Sequence, residues 1–232
     1  MGPMQASAMS YEDLPALIGL MTGDEKHGGA SESTLDVLWV LYDRVLRVDP
    51  DAPDDPDRDR FLLSKGHGPM AYYAVLAAAG FIPLEALPRF GRYDSILGQH
   101  PDRALIPGVE LSSGSLGHGL PIAVGVAAAL DLKGRGGPRV FCLVGDAELD
   151  EGSNYEAIAL AGRQGLSRLT VCVIDNRSAT HGWPGGIDAR FRLEGWSAST
   201  VDGRDHDAIE AGVSAAHQDR PHVVVAEVEG KR

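Results

Sequence analysis

Apolar residues near the start of the chain recur at three- and four-residue spacing. Leu35, Leu38, Trp39, Tyr42, Val45 and Leu46 share one face, which predicts a helix over 33–48. The apolar stretch 71–79, stopped by Gly80, predicts a second helix, and 120–132 a third whose small residues suit close packing. Between the first two, 49–59 is dense in Asp and Pro and reads as an exposed loop, while 1–25 reads as a partly ordered N-terminal extension. From residue 138 the pattern changes. Runs 139–144 and 169–174 are continuously apolar and end in Gly145-Asp146 and Asp175-Asn176, with helical 152–165 between them. Strand-like 199–201, a helix over 205–217 and strand-like 222–228 follow. Buried strands alternating with helices predict an α/β fold: a doubly wound, mostly parallel sheet with helices on both faces. Residues 1–232 are read as a single domain, with no internal repeat.

Ligands of such sheets bind beyond the carboxyl ends of the strands, and there stand Asp146 and Asn176. Taken singly, each has a plainer explanation, a helix cap for Asp146 and a turn for Asn176. At corresponding positions after successive strands, their two oxygens suit a hard cation such as Mg2+, which commonly carries a diphosphate. The glycine-rich segment 112–119 leads into a helix, where free amides can face an anion. No Lys follows as in a Walker loop, and Ile122 occupies the third-glycine place of the dinucleotide fingerprint. Four histidines, His27, His67, His100 and His118, stand beside Gly or Pro in loops, where imidazoles can approach a ligand and move protons. A lone loop histidine is usually just exposed; four in similar settings point to a ligand pocket. His181 follows the Asn176 turn, while His206, His217 and His222 receive no role. Histidine spacing offers no zinc pattern.

Composition narrows the partners. A net charge of −12 over 232 residues disfavours nucleic acid and anionic lipid surfaces. The longest apolar run, 120–130, contains Pro121 and Gly125 and falls well short of the roughly 20 residues that span a bilayer. Residues 1–10 lack the basic and apolar regions of a secretory signal. Cys142 and Cys172 sit in apolar strand-like runs as small hydrophobes, consistent with a reducing cytoplasm.

Five ordered motifs carry a family resemblance: Ser64-Lys65-Gly66-His67-Gly68, Gly98-Gln99-His100-Pro101, Gly114-Ser115-Leu116-Gly117-His118-Gly119, Gly145-Asp146-Ala147, and Asp175-Asn176. From about residue 27 to 228 the chain resembles the diphosphate-binding domain of transketolases. Its last two motifs, with Asp146 and Asn176 thirty residues apart, look like the thiamine-diphosphate signature. The resemblance implies that Asp146, Asn176 and the backbone carbonyl of Ser178 bind Mg2+, with Ca2+ or Mn2+ as substitutes. It also implies that Gly114, Ser115 and Leu116 line the cofactor rings, that His67 meets the diphosphate, and that Gly145, Ala147, Glu148 and His181 belong to the cofactor site. His27, His67 and His100 would be catalytic, with His27 and His100 facing the sugar. Glu151 and Glu156 would join a carboxylate network at a dimer interface; as plain helix N-terminal acids they would be favoured by the dipole alone.

The implied reaction moves a two-carbon ketol unit from a ketose, free or phosphorylated, to an aldehyde acceptor. Full-length family members also carry a pyrimidine-binding domain and a late active-site histidine, neither found within these 232 residues. Ala147 stands where Gly is usual and His118 where Gln is common. The expectation is therefore the N-terminal subunit of a split transketolase. A separate chain would supply the pyrimidine-binding and C-terminal domains, the two forming an α2β2 heterotetramer that acts on a specialised substrate. Two alternatives are a subunit of a 2-oxoacid dehydrogenase or decarboxylase, and a non-catalytic partner subunit.

Overall fold

The computed structural model describes residues 9–23, 28–215, 217 and 219–229. Among them five strands, β1 (Arg60–Leu63), β2 (Val140–Gly145), β3 (Leu169–Asp175), β4 (Ser197–Asp202) and β5 (His222–Glu227), form one sheet in the order β1-β2-β3-β5-β4. Every pairing is parallel, so the sheet is wholly rather than mostly parallel among the described residues.

The helices that cover it are α1 (Leu14–Gly19), α2 (Gly28–Val40), α3 (Pro69–Ala78), α4 (Gly119–Leu132), α5 (Gly152–Gln164), α6 (Ile187–Leu193) and α7 (His206–Val213). Strand side chains alternate between two cores, as the two-residue period of a strand requires. Phe61, Leu63, Phe141, Leu143, Cys172, Ile174, Val224 and Ala226 pack with α1, α2, α3 and α7. Leu62, Val140, Cys142, Val144, Val171, Val173, Val223 and Val225 pack with α4, α5 and α6. Both faces are buried, which is why β2 and β3 carry no polar alternation. The doubly wound α/β class is thereby shown.

Several local expectations need correction. The first long helix starts at Gly28, before the predicted residue 33, and ends at Val40 in one π turn, Leu41–Val45. The helix predicted over 205–217 stops at Val213; Asp205 caps it, its carboxylate accepting from the Asp207 and Ala208 amides. Strand β1 and helix α6 carry too few periodic positions to be seen in the sequence. Residues 14–21 of the N-terminal segment are well packed, with Leu14, Leu17 and Met21 buried in the first core.

The acidic loop ends in a buried residue. Asp59 is fully buried and accepts from the guanidinium groups and backbone amides of both Arg47 and Arg139. Burial pushes its pKa up, but those donors outweigh it and hold the carboxyl down to about 2. No helix among the described residues is long and apolar enough to cross a membrane.

Candidate active site

The parallel sheet brings the ends of β1, β2 and β3 side by side, and the motifs converge there. Asp146 follows β2 and Asn176 follows β3; both are buried. Between Asn176 and Ser178, Arg177 takes a left-handed conformation (φ 57°), uncommon for a non-glycine residue, which curls the chain back towards β2. The Ser178 amide (2.6 Å) and Ala179 amide (3.0 Å) then donate to Asp146 Oδ2, and the Ser178 hydroxyl (2.6 Å) to Oδ1. Ser178 thus reaches Asp146 through its donors, whereas the resemblance implies a role for its carbonyl. Asn176 Oδ1 is buried with no hydrogen-bond partner among the described residues. Ala147 sits in a 3-10 turn, Ala147–Asp150, without positive φ, so the missing glycine is accommodated.

Asp150, which no sequence motif singles out, shapes the same loop. Its Oδ2 accepts from the Thr180 and His181 amides at 3.3 and 3.4 Å, and its Oδ1 is buried and unpartnered among the described residues. His181 itself is exposed. Trp183, further along the loop, stacks on Tyr155 of α5 with centroids 4.9 Å apart, and Arg190 lies over both rings. Spacing alone does not announce these contacts, because the partners come from separate segments.

The glycine-rich segment lies against the end of β1. A Cβ on Gly119 would stand 2.3 Å from the Ser64 Cβ, and one on Gly117 (φ 79°) 2.6 Å from the Glu151 Cβ. Gly114 packs under the His100 ring, and Leu116 leans to within 3.0 Å of where a Gly66 Cβ would be. Ser115 and Leu116 are exposed. His67 and His100, with Ser31, Gly66, Pro69, Met70 and Gln99, line a cavity of about 260 Å³. His27 lies outside the described residues.

Glu148, placed by the resemblance in the cofactor site, turns inward. It is buried and accepts from the Ser64 hydroxyl, the Gly117 amide (3.0 Å) and the Gly145 amide (3.4 Å). Burial raises its pKa, opposed by those donors and by nearby Lys65. Glu151 precedes α5 and Glu156 lies on it; both are exposed. His118, beside α4, is exposed too.

The donor set can hold a hard cation. Oδ2 of Asp146 has two donors, while Oδ1 has one and keeps a lone pair; Asn176 Oδ1 adds a second oxygen. Among the described residues no group of three His, Cys, Asp or Glu could hold a metal, so a site here must draw on amide or carbonyl oxygens.

Known proteins resemble this chain along most of its length. Residues 19–229 match the family described as transketolase, thiamine diphosphate binding domain. "Ferredoxin fas2" of Rhodococcoides fascians is 59% identical over 97% of this chain and 74% of its own length. One of the subunits named for the apulose-4-phosphate transketolase of Actinobacillus succinogenes is 39% identical over 86% of this chain and 75% of its own. The crystal structure of transketolase from Campylobacter jejuni superposes with a TM-score of 0.77 at 27% identity, covering 94% of this chain. This chain spans 37% of that enzyme's length.

Proposed function

The chain belongs to the transketolase family, whose thiamine diphosphate binding domain it carries, and we propose that it is the N-terminal subunit of a two-chain transketolase. In this reading residues 1–232 act as a single domain that holds the diphosphate end of the cofactor. A C-terminal subunit completes each active site in an α2β2 assembly. The observation that carries the reading is the pair of buried oxygens at neighbouring strand ends, Asp146 Oδ1 with a lone pair to spare and Asn176 Oδ1 with no partner among the described residues. Likeness over three quarters of a protein whose name makes it one subunit of a transketolase supports the two-chain arrangement.

Asp146 and Asn176 would hold Mg2+, for which Ca2+ or Mn2+ can substitute, and the cation would neutralise the diphosphate. When bound, thiamine diphosphate supplies the nucleophilic carbon that breaks and remakes the bond beside a ketose carbonyl. The protein's own share is position and proton movement. Gly114 and Leu116, on the loop before α4, offer backbone and an apolar side chain to the cofactor rings. His67 and His100 share one cavity and, able both to donate and to accept, would orient the sugar hydroxyls and move their protons. That shared cavity favours a polyhydroxylated substrate over a 2-oxoacid, which needs no such pair. The similarity to a transketolase named for apulose 4-phosphate favours a phosphorylated ketose donor outside the common pentoses.

These 232 residues do not carry the cluster ligands that the word ferredoxin in a relative's name implies. Iron–sulfur clusters take about four cysteine thiolates, whereas this chain has two cysteines. They point into opposite cores, and burial pushes the Cys172 thiol up to about 12 and the Cys142 thiol up as well. Such unpaired thiols suit a cytoplasmic location.

The test is a two-carbon transfer assay on this chain mixed with the product of a neighbouring pyrimidine-domain gene. The reading expects transfer from a ketose phosphate to an aldehyde by the mixture and none by either chain alone. Absence of transfer, with thiamine diphosphate also unbound by the mixture, would reject it.

A further inference from the structure

We propose that Glu148 is the positioning residue of the cofactor loop: its buried carboxylate clamps segment 114–119 to the ends of β1 and β2, shaping that loop before any cofactor arrives. The proposal rests on the reading above for what the loop binds, but not for the clamp itself. One carboxylate gathers donors from three separate segments. Oε1 accepts from the Gly117 amide at 3.0 Å and from the Ser64 hydroxyl, and Oε2 from the Gly145 amide at 3.4 Å. Ser64 Oγ accepts in turn from the Gly119 amide at 3.1 Å. The Gly117 amide is therefore held by Glu148 directly and the Gly119 amide through the Ser64 hydroxyl that Glu148 orients. Without Glu148 the buried Gly117 and Gly145 amides would lack acceptors, a costly state.

Close packing makes the clamp specific. The loop backbone approaches Ser64 and Glu151 so nearly that a Cβ at Gly119 or Gly117 would overlap them. The loop's other end, Gly114, lies under the His100 ring. Glu148 also shares its 3-10 turn with Asp150 and follows Asp146 by two residues, so one turn fixes both the candidate cation ligand and the loop. A direct cofactor contact is electrostatically wrong for this group. A carboxylate beside a diphosphate repels it, and both oxygens are already engaged with protein donors. Its contribution is preorganisation, which spares the ordering cost of the loop on binding.

The experiment measures amide hydrogen exchange in the full chain without cofactor, for wild type, Glu148→Ala, Glu148→Gln and Ser64→Ala. Gln keeps an acceptor oxygen for Gly117 and Ser64. The clamp predicts that Glu148→Ala speeds exchange at Gly117 by about 30-fold, the order expected for losing a hydrogen bond to a charged group, and at Gly119 by less, since Ser64 stays as its acceptor, with Val171 and Val173 of β3 unchanged. Glu148→Gln should restore most of that protection, and Ser64→Ala should expose Gly119 more than Gly117. Calorimetry of the chain mixed with the pyrimidine-domain subunit should show thiamine diphosphate binding weakened about 10-fold or more by Glu148→Ala and recovered by Glu148→Gln.

Unchanged exchange at Gly117 and Gly119, or loss spread equally into β3, would overturn the clamp. So would a Glu148→Gln variant that keeps its loop protected yet binds as poorly as Glu148→Ala, since that marks a direct contact. Should Glu148→Ala fail to fold, Glu148→Gln and Ser64→Ala decide by the same loop amides. Failure of the wild-type mixture to bind thiamine diphosphate would instead count against the functional reading, with the exchange data still judging the clamp.

Discussion

Replacing Gly117 by Ala tests how tightly the loop is built, because Gly134→Ala provides a matched control. Both glycines have positive φ, 79° and 64°. Gly134 ends α4 with nothing within 4 Å of its would-be Cβ, so Ala there costs backbone strain alone, about 1 kcal/mol. At Gly117 the new methyl would stand 2.6 Å from the Glu151 Cβ and 2.7 Å from Ser153 Oγ. The Glu151 Cβ is fixed to backbone and cannot swing away. Relief must move the loop, which disturbs the Ser153 hydroxyl bond to the Gly117 carbonyl (2.5 Å) and the Gly117 amide bond to Glu148. Overpacking of this kind adds about 1–3 kcal/mol, for a total loss of about 2–4 kcal/mol. Urea unfolding followed by circular dichroism measures both variants against wild type. Equal losses, within about 0.5 kcal/mol, would refute the close approach on which the site's geometry depends.

Other consequences concern charge and burial. Asp59→Asn should cost about 2 kcal/mol at pH 7, the order implied by a carboxyl held near 2. Because the folded pKa is depressed, wild type should keep that advantage above the unfolded value near 4 and lose it as pH falls towards 2; a pH-independent difference in denaturation midpoint contradicts the account. His222 is buried, donates to the Gly212 carbonyl, and burial lowers its pKa to about 4. Its ring should titrate near pH 4 by NMR, and stability should fall between about pH 6.5 and 4 as the unfolded chain alone takes the proton; a midpoint above about 6 would show the ring is not desolvated.

The C-terminal half of the fold was legible because β2, β3 and β5 are buried on both faces and so are continuously apolar, and because helices alternate with them. Strand β1 was hidden by its four-residue length, and α6 by a single fully buried side chain, Phe191. The place of Asp146 and Asn176 at neighbouring strand ends was legible because a parallel sheet fixes where its strand ends lie. Asp150 was not, and Ser64 was visible only as a motif member without a role, since both act on backbone amides supplied by distant loops, and residue type encodes nothing of that pairing. Asp59 misled for the same reason: among neighbouring acids it looked solvated, while the two guanidinium groups that hold it come from Arg47 and from Arg139, far along the chain.

Calorimetric titration of thiamine diphosphate with Mg2+ into this chain mixed with its pyrimidine-domain partner tests the central claim most directly, with Asp146→Ala alongside wild type. The account predicts Mg2+-dependent binding by the wild-type mixture that the variant loses. Binding that persists without Mg2+ and survives Asp146→Ala would contradict it.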